Sequence, residues 1–283
     1  LSYTPISLSP PFSLRLMIEL KDISLSNILK TINISIPEGG YIGIAGPNGS
    51  GKSSLAKIIK GIQDPSEGGV YINGVLRPKG KVSSDIGLVL SSPENQLVSS
   101  SIEEDVAFGL ENMNLPSQEI AKRTEEALRL GDLWESRDTP AHHLSAGQQQ
   151  MLVIAGIMAM QPGYLIIDEG ASMIDPQGRI TVLDAVKKIN RENGVGVIHI
   201  SHDLSELIVA RTISILDKGS IVWEGEPSKL HHQEPLLSAL GMELPPLLKL
   251  KSLMISGGYD ISDKAMTAEE MADEVVKVIN RPA

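Results

Sequence analysis

The sequence predicts an α/β fold: a mostly parallel core sheet with an antiparallel β edge, an inserted helical subdomain and a small C-terminal extension. Three observations lead there. Apolar runs of strand length alternate with helical patterns, as buried parallel strands and their crossover helices do. One run, Tyr41 to Ala45, enters a glycine-rich turn that opens directly into a helical pattern. A long block between Ile86 to Leu90 and Tyr164 to Ile167, both strand-like, is predominantly helical. The 283 residues leave room for one large domain with an appendage or for two modest ones. With 41% hydrophobic and 21% charged residues the chain can bury a core.

Residues 1–16 are rich in Ser and Pro, carry no positive charge before Arg15, and read as a flexible extension rather than a secretory signal. The ordered domain is expected to begin at Met17. Met17 to Ile23 and Lys30 to Ile36 alternate apolar and polar residues, the pattern of half-buried antiparallel strands. After the glycine turn, Ser53 to Ile62 places Leu55, Ile58, Ile59 and Ile62 at helical spacing. Val195 to Ile200 is a further buried parallel strand, and helices are expected on both faces of the sheet. Helices at Ile102 to Glu111, Ser117 to Leu130 and Ala146 to Met160 make up a helical subdomain over about residues 93–160. Met113 and Leu115, or Met158 and Met160, either offer a partner soft apolar contacts or fill the core. From about Gln233 the chain carries Pro235, Pro245 and Pro246, then a helix from Thr267. There Thr267 and Glu270 have capping-box spacing, with Met271, Val275 and Val278 behind. The expected organisation is therefore 1–16, 17–232 and 233–283. Leu152 to Met160 and Val195 to Ile200 are among the longest apolar stretches and fall short of the roughly 18 residues of a spanning helix.

Composition excludes several chemistries. Acidic residues outnumber basic ones 35 to 25, a net charge of −10, and aromatics are 3%, so neither phosphate neutralisation nor base stacking on nucleic acid is expected. With no cysteine, thiolate metal sites, disulfides and cysteine nucleophiles are absent.

The glycine turn reads Gly46-Pro47-Asn48-Gly49-Ser50-Gly51-Lys52-Ser53, which fits G-x-x-x-x-G-K-[ST] between a strand and a helix. Such a loop turns backbone N–H groups onto phosphate oxygens at a helix N-terminus. Lys52 then reaches the β- and γ-phosphates and the Ser53 hydroxyl can ligate Mg²⁺. The strand Tyr164 to Ile167 ends in Asp168-Glu169. Asp168 would hold Mg²⁺ through its water shell, and Glu169 on the opposite side of the strand end would orient or deprotonate an attacking water. By itself an acid pair at a strand end is more often a solvated turn.

Further along stand Leu144-Ser145-Ala146-Gly147-Gln148, then Asp168-Glu169, Ile174-Asp175 and Ser201-His202-Asp203. The series resembles the ATP-binding subunits of ABC transporters: Walker A, signature, Walker B, D-loop and switch histidine in their usual order over about residues 17–232. The resemblance implies ATP with Mg²⁺, held by Gly46, Asn48, Gly49, Ser50, Gly51, Lys52, Ser53 and Ser54. It implies that two cassettes close head to tail, so Ser145, Gly147 and Gln148 act on the partner's nucleotide and Asp175 links the two sites. It makes Glu169, His202 and Lys52 the catalytic set. His142 and His143 are taken as structural lead-in to the signature.

Narrower matches resemble the ATPases of energy-coupling-factor importers: Pro93-Glu94-Asn95-Gln96, Ile102 to Gly109, Ile154-Ala155-Gly156 and Ser172 to Pro176. That branch implies a second ATPase subunit, a transmembrane coupling subunit docked near Ser91 to Phe108, and a substrate-capturing membrane subunit for vitamins or transition-metal ions. The chain would then lie on the cytoplasmic face of the membrane. The tail from Leu240 to Val276 loosely resembles the family's C-terminal dimerisation extension. Three positions depart from the pattern: Asn27 at the place of an adenine-stacking aromatic, Ser91 at the place of a Mg²⁺-contacting glutamine, and Ala146 at the first signature glycine. They favour a heterodimer and keep alive a low-activity regulatory subunit. A soluble ABC ATPase of DNA maintenance or translation would need a long coiled coil, a second cassette or a basic surface, and none is visible.

Overall fold

The computed structural model describes residues 17–170, 174–263 and 265–279. The expected extension 1–16, and Ser172 and Met173, lie outside the described residues. In chain order the elements are β1 (Ile18–Leu25), β2 (Leu29–Ile36), β3 (Tyr41–Ala45), α1 (Lys52–Lys60), β4 (Glu67–Ile72), β5 (Val75–Leu76), β6 (Ile86–Val89), α2 (Ile102–Glu111), α3 (Ser117–Leu130) and α4 (Ala146–Ala159). There follow β7 (Tyr164–Asp168), α5 (Pro176–Asn193), β8 (Gly196–Ser201), α6 (Leu204–Leu207), β9 (Thr212–Asp217), β10 (Ser220–Gly225), α7 (Glu234–Ala239), α8 (Pro246–Ser256) and α9 (Ala268–Ile279).

Two sheets organise the molecule. The larger runs β10-β9-β3-β8-β7-β6 and is parallel except for the β10–β9 hairpin. The smaller, β2-β1-β4-β5, is antiparallel throughout and stacks with α1 on one face of the larger. Leu55, Ile58 and Ile59 of α1 meet Ile44, Leu88, Ile166 and Ile198 of the parallel strands there. The opposite face, through Val89, Leu165, Ile167, Val197 and Ile213, packs on α2 to α6. Helices therefore stand on both faces, but α1 shares its face with a sheet.

Local chemistry explains the element ends. Gly61 takes a left-handed φ of 93° and closes α1 by donating to Lys57 and Ile58 carbonyls, so Ile62 leaves the apolar stripe and is 57% exposed. Ser101 caps α2 by accepting from Glu104 N–H, with Glu103, Glu104 and Asp105 in its first turn where the helix dipole favours negative charge. α4 is apolar on nearly every side because α2, α3, α5 and β6 surround it. Met158, Met160 and Leu115 pack against this core, whereas Met113 stays exposed, which settles the methionine question mostly for filling.

Residues beyond 233 pack in two places. Leu237, Met242, Leu244 and Leu248 join the main core, and only Ile261, Ala265 and Met271 form a separate cluster. The capping box of α9 is realised: Thr267 Oγ1 accepts from Glu270 N–H at 3.1 Å and Glu270 Oε2 from Thr267 N–H at 3.0 Å. Asp263 fastens this module. Its Oδ1 lies 3.9 Å from Nζ of the fully buried Lys251 and 3.5 Å from Nε2 of His231. Burial pushes both the Lys251 amine and the His231 imidazole below their ordinary pKa values.

Candidate functional site

Sheet register assembles the site. β8 lies between β3 and β7, with Ala45 opposite Ser201 and Asp168 opposite Ile200. The residues that follow these strand ends are Gly46, Glu169 and His202, so the glycine loop, the acid pair and the histidine emerge side by side at the carboxyl edge. Open α/β sheets bind ligands at that edge.

The loop needs its glycines. A Cβ on Gly46, at φ 151°, would sit 2.1 Å from the Leu216 carbonyl oxygen, and one on Gly51, at φ 110°, 2.7 Å from Leu29 Cδ2. Asn48 and Gly49 are exposed at its crest, Ser50 is buried behind them, and Ser53 and Ser54 open α1. Gly219 N–H donates to the Ser50 carbonyl at 3.0 Å, so the β9–β10 turn braces the loop. Lys52 is 5% exposed and its Nζ donates to the Gly46 and Pro47 carbonyls at 2.8 and 3.1 Å.

Both carboxylates border this cradle. Asp168 is buried, hydrogen-bonds the Ser53 hydroxyl, and has one oxygen, Oδ1, with no partner among the described residues. Burial first, then the neighbouring Glu169 charge, hold its pKa above the usual carboxylate range. The chain leaves β7 through Glu169 at φ 54°, a left-handed conformation that costs a non-glycine residue roughly 1 to 3 kcal/mol. That turn aims Glu169 Oε1 to within 3.5 Å of Lys52 Nζ and 3.5 Å of His202 Nδ1, so Glu169 faces the same cradle as Asp168 rather than the opposite side. A buried carboxylate with an unpartnered oxygen beside a serine hydroxyl matches the all-oxygen donor set of Mg²⁺.

Other expected residues stand apart from this cluster. Ser145 caps α4 in a full capping box: Ser145 Oγ accepts from Gln148 N–H at 3.3 Å and Gln148 Oε1 from Ser145 N–H at 3.0 Å. Gly147 is buried, with space for a Cβ only 3.1 Å from Gly178 Cα, so the starts of α4 and α5 touch. Asp175 caps α5 by accepting from Gln177 and Gly178 N–H. α4 packs on α2, α3, α5 and β6, and α1 on β6 and β7, which leaves the signature turn outside the chain's own cradle. Ala146 is exposed and is not among the left-handed residues, so its methyl does not strain the turn. Ser91 hydrogen-bonds neither Ser53 nor Asp168 among the described residues. Gln96 is spent on the end of β6, accepting from Leu90 N–H at 2.6 Å and donating to the Leu88 carbonyl at 3.0 Å. Asn27 is exposed; its neighbour Ile28, 44% exposed, places Cγ2 3.6 Å from where a Gly51 Cβ would lie. Gln150, which the sequence did not single out, is fully buried and donates to the Leu90 carbonyl at 3.5 Å; its place three residues after Gly147 was the available signal.

Comparisons with known proteins agree with this geometry. The family model described as ABC transporter matches residues 29–172. The energy-coupling factor transporter ATP-binding protein EcfA1 of Caldanaerobacter subterraneus subsp. tengcongensis is 40% identical over 88% of this chain and 92% of its own length. EcfA of Enterococcus faecium is 40% identical over 87% of this chain and 89% of its own. Among solved structures, cbiO1 from Clostridium perfringens, part of the ABC transporter complex cbiONQ, superposes with a TM-score of 0.72 at 30% identity, covering 84% of this chain and 99% of that one. The ATP-binding cassette MJ0796, a dimer in a post-hydrolysis state bound to ADP and Pi, gives 0.65 at 26% identity over 74% of this chain and 98% of that one. With its glycine cradle, its acid pair and this span of similarity, the chain belongs to the ABC transporter ATP-binding subunits, alongside the ATP-binding proteins of energy-coupling factor transporters.

Proposed function

We propose that this ATPase powers an energy-coupling-factor importer of vitamins or transition-metal ions, with Glu169, His202 and Lys52 as its catalytic set. The carrying observation is their convergence: one Glu169 oxygen stands 3.5 Å from both Lys52 Nζ and His202 Nδ1 beside a glycine loop. Backbone N–H groups of residues 48–54 and Lys52 hold the β- and γ-phosphates of ATP. Ser53 and Asp168 would hold Mg²⁺, which would neutralise phosphate charge; Ser91 is too short to replace a glutamine there without a bridging water. Glu169 accepts the proton of the attacking water and His202 orients that water and the γ-phosphate. Ser145, Gly147 and Gln148 complete a partner's site, and Asp175 joins the two sites across the interface.

Closing on ATP and opening after hydrolysis then becomes motion of a membrane partner. Among the described residues no helix is long and apolar enough to cross a membrane. A surface hollow of about 620 Å³, lined by Ser99, Ser101, Glu103, Glu104, Phe108 and Asp138, would take the docking segment of the transmembrane coupling subunit. Phe108, 50% exposed within an acidic rim, suits a segment that is cationic with an apolar face. The second ATPase is a different chain with a stricter signature, the tail from residue 233 adds to that dimer contact, a substrate-binding membrane subunit supplies selectivity, and the assembly faces the cytoplasm.

The low-activity regulatory alternative keeps support from Ser91, which makes no bond to Ser53 or Asp168 among the described residues. Glu169→Gln in the purified assembly separates the two. It should trap an ATP-bound dimer and abolish turnover, whereas unchanged turnover would remove Glu169 as the base.

A further inference from the structure

The segment carrying His202 is held on both sides by side chains that have no part in the cradle. Arg179, in the first turn of α5, donates from Nη2 to Asp203 Oδ2 at 2.5 Å and pairs with Glu206 Oε1. Asp203 is tied twice more: its N–H donates to Ser201 Oγ at 3.0 Å, and its Oδ1 accepts from Ser205 N–H at 2.9 Å to cap α6. Glu206, with 4% of its side chain exposed, hydrogen-bonds Ser201 and lies 3.4 Å from Nε2 of the fully buried His199. The Tyr41 hydroxyl closes the chain 2.9 Å from His199 Nδ1. His202 sits between Ser201 and Asp203, so both of its neighbours belong to this network.

Its electrostatics single out Arg179. Burial would raise the Glu206 pKa, but the adjacent His199 and Ser201 side chains, with the charge of Arg179, hold it below the usual range. The carboxylate is thus ionised inside the protein, and a planar guanidinium satisfies it and Asp203 together. α5, capped by Asp175, meets the start of α4 at Gly178 and Gly147. The start of α5 is therefore the frame to which the histidine segment is tied.

We propose that Arg179 is a positioning residue for ATP turnover: by clamping Asp203 and Glu206 to the start of α5, it sets the reach of His202 toward Glu169 and the γ-phosphate. This rests on the role proposed for His202. Among the described residues the ion pairs of Arg179 run to Asp203 and Glu206 and not to residues 46–54, so it governs turnover and not nucleotide capture.

The test compares Arg179→Ala, Arg179→Lys and the double variant Arg179→Ala with Glu206→Gln, each in the full chain assembled with its partners. A misplacement of about 1 Å costs up to roughly 100-fold, so Arg179→Ala should lower kcat about 10- to 100-fold with KM for ATP within about twofold. Arg179→Lys, which keeps charge but loses the planar fork, should fall between. Glu206→Gln removes the uncompensated buried charge, so the double variant should regain the wild-type melting temperature while kcat stays low. Nuclear magnetic resonance of the His202 imidazole, assigned with His202→Ala, supplies a readout free of turnover; the signal should move in the double variant. A double variant that recovers kcat together with melting, or an unmoved His202 resonance, overturns the proposal. A wild-type assembly without turnover whose His202 signal still depends on Arg179 would overturn the ATPase role instead.

Discussion

Replacing Asp168 by Asn separates what this carboxylate does to folding from what it does in turnover. The side chain is buried, Oδ1 has no hydrogen-bond partner among the described residues, and its pKa is raised chiefly by burial. An unsatisfied buried polar atom costs about 1 to 3 kcal/mol, and more when it carries charge. Asn fills the same space without charge, so in a chelator the variant should be more stable by about 1 to 2 kcal/mol, a rise in Tm of roughly 2 to 8 °C for a chain of this size. Mg-ATP should reverse the order. A ligand at about 100 times its Kd adds about 2.7 kcal/mol to the native state, and the variant, lacking the anionic ligand that a divalent ion needs, should gain less. Turnover should fall by about two orders of magnitude or more, the several kcal/mol that a metal ion contributes to transition-state charge. Thermal melts of wild type and variant in chelator and in Mg-ATP, paired with phosphate release, measure all of this. A variant that melts below wild type in chelator, or melting orders that fail to cross on adding Mg-ATP, would refute the link between burial, pKa and metal binding.

Three further perturbations have defined outcomes. The Glu206 pKa is held below its ordinary 4.5, so its contribution is present above that pH and lost as pH falls through the lower folded value. Melts at acid pH should therefore show a steeper loss for wild type than for Glu206→Gln, and equal slopes would count against an ionised Glu206. Gly46→Ala pushes a methyl to 2.1 Å from the Leu216 carbonyl at a φ of 151°, and should cost about 2 to 4 kcal/mol with at least a tenfold loss of ATP affinity. Wild-type melting in that variant would mean the loop and the β9–β10 hairpin are not in contact. Asn27→Tyr should tighten ATP by roughly 2- to 10-fold through stacking while leaving inorganic tripolyphosphate unchanged. Equal gains for both ligands would place the base elsewhere.

Much of the site was legible because its chemistry is local. Gly46 to Ser53 fixes a strand–loop–helix unit in eight residues, and α2 and α3 begin and end where Ser101 and the apolar spacing put them. What escaped was decided by partners far away in sequence. β4 carries Gly68 and Gly69 just after Glu67, poor strand formers that are accommodated where its register against β1 shifts, between the Ser24–Glu67 and Lys21–Gly69 pairs. β9 and β10 become a sheet margin because β9 finds β3, far away in sequence. The side of the cradle taken by Glu169 could not be read from strand alternation, since its positive φ breaks that alternation. The network of Tyr41, His199, Glu206 and Arg179 draws on four elements and no short motif.

The β9–β10 turn also sets a lower limit on a working fragment. The family match ends at residue 172, yet the surface that Gly46 presses on belongs to Leu216 and the bond that steadies Ser50 comes from Gly219. A truncation made at the edge of the recognisable letters would retain the whole phosphate motif while stripping away its back wall. A fragment must keep that hairpin and, to keep the main core whole, the chain through Leu248, so cut sites for engineering belong beyond it.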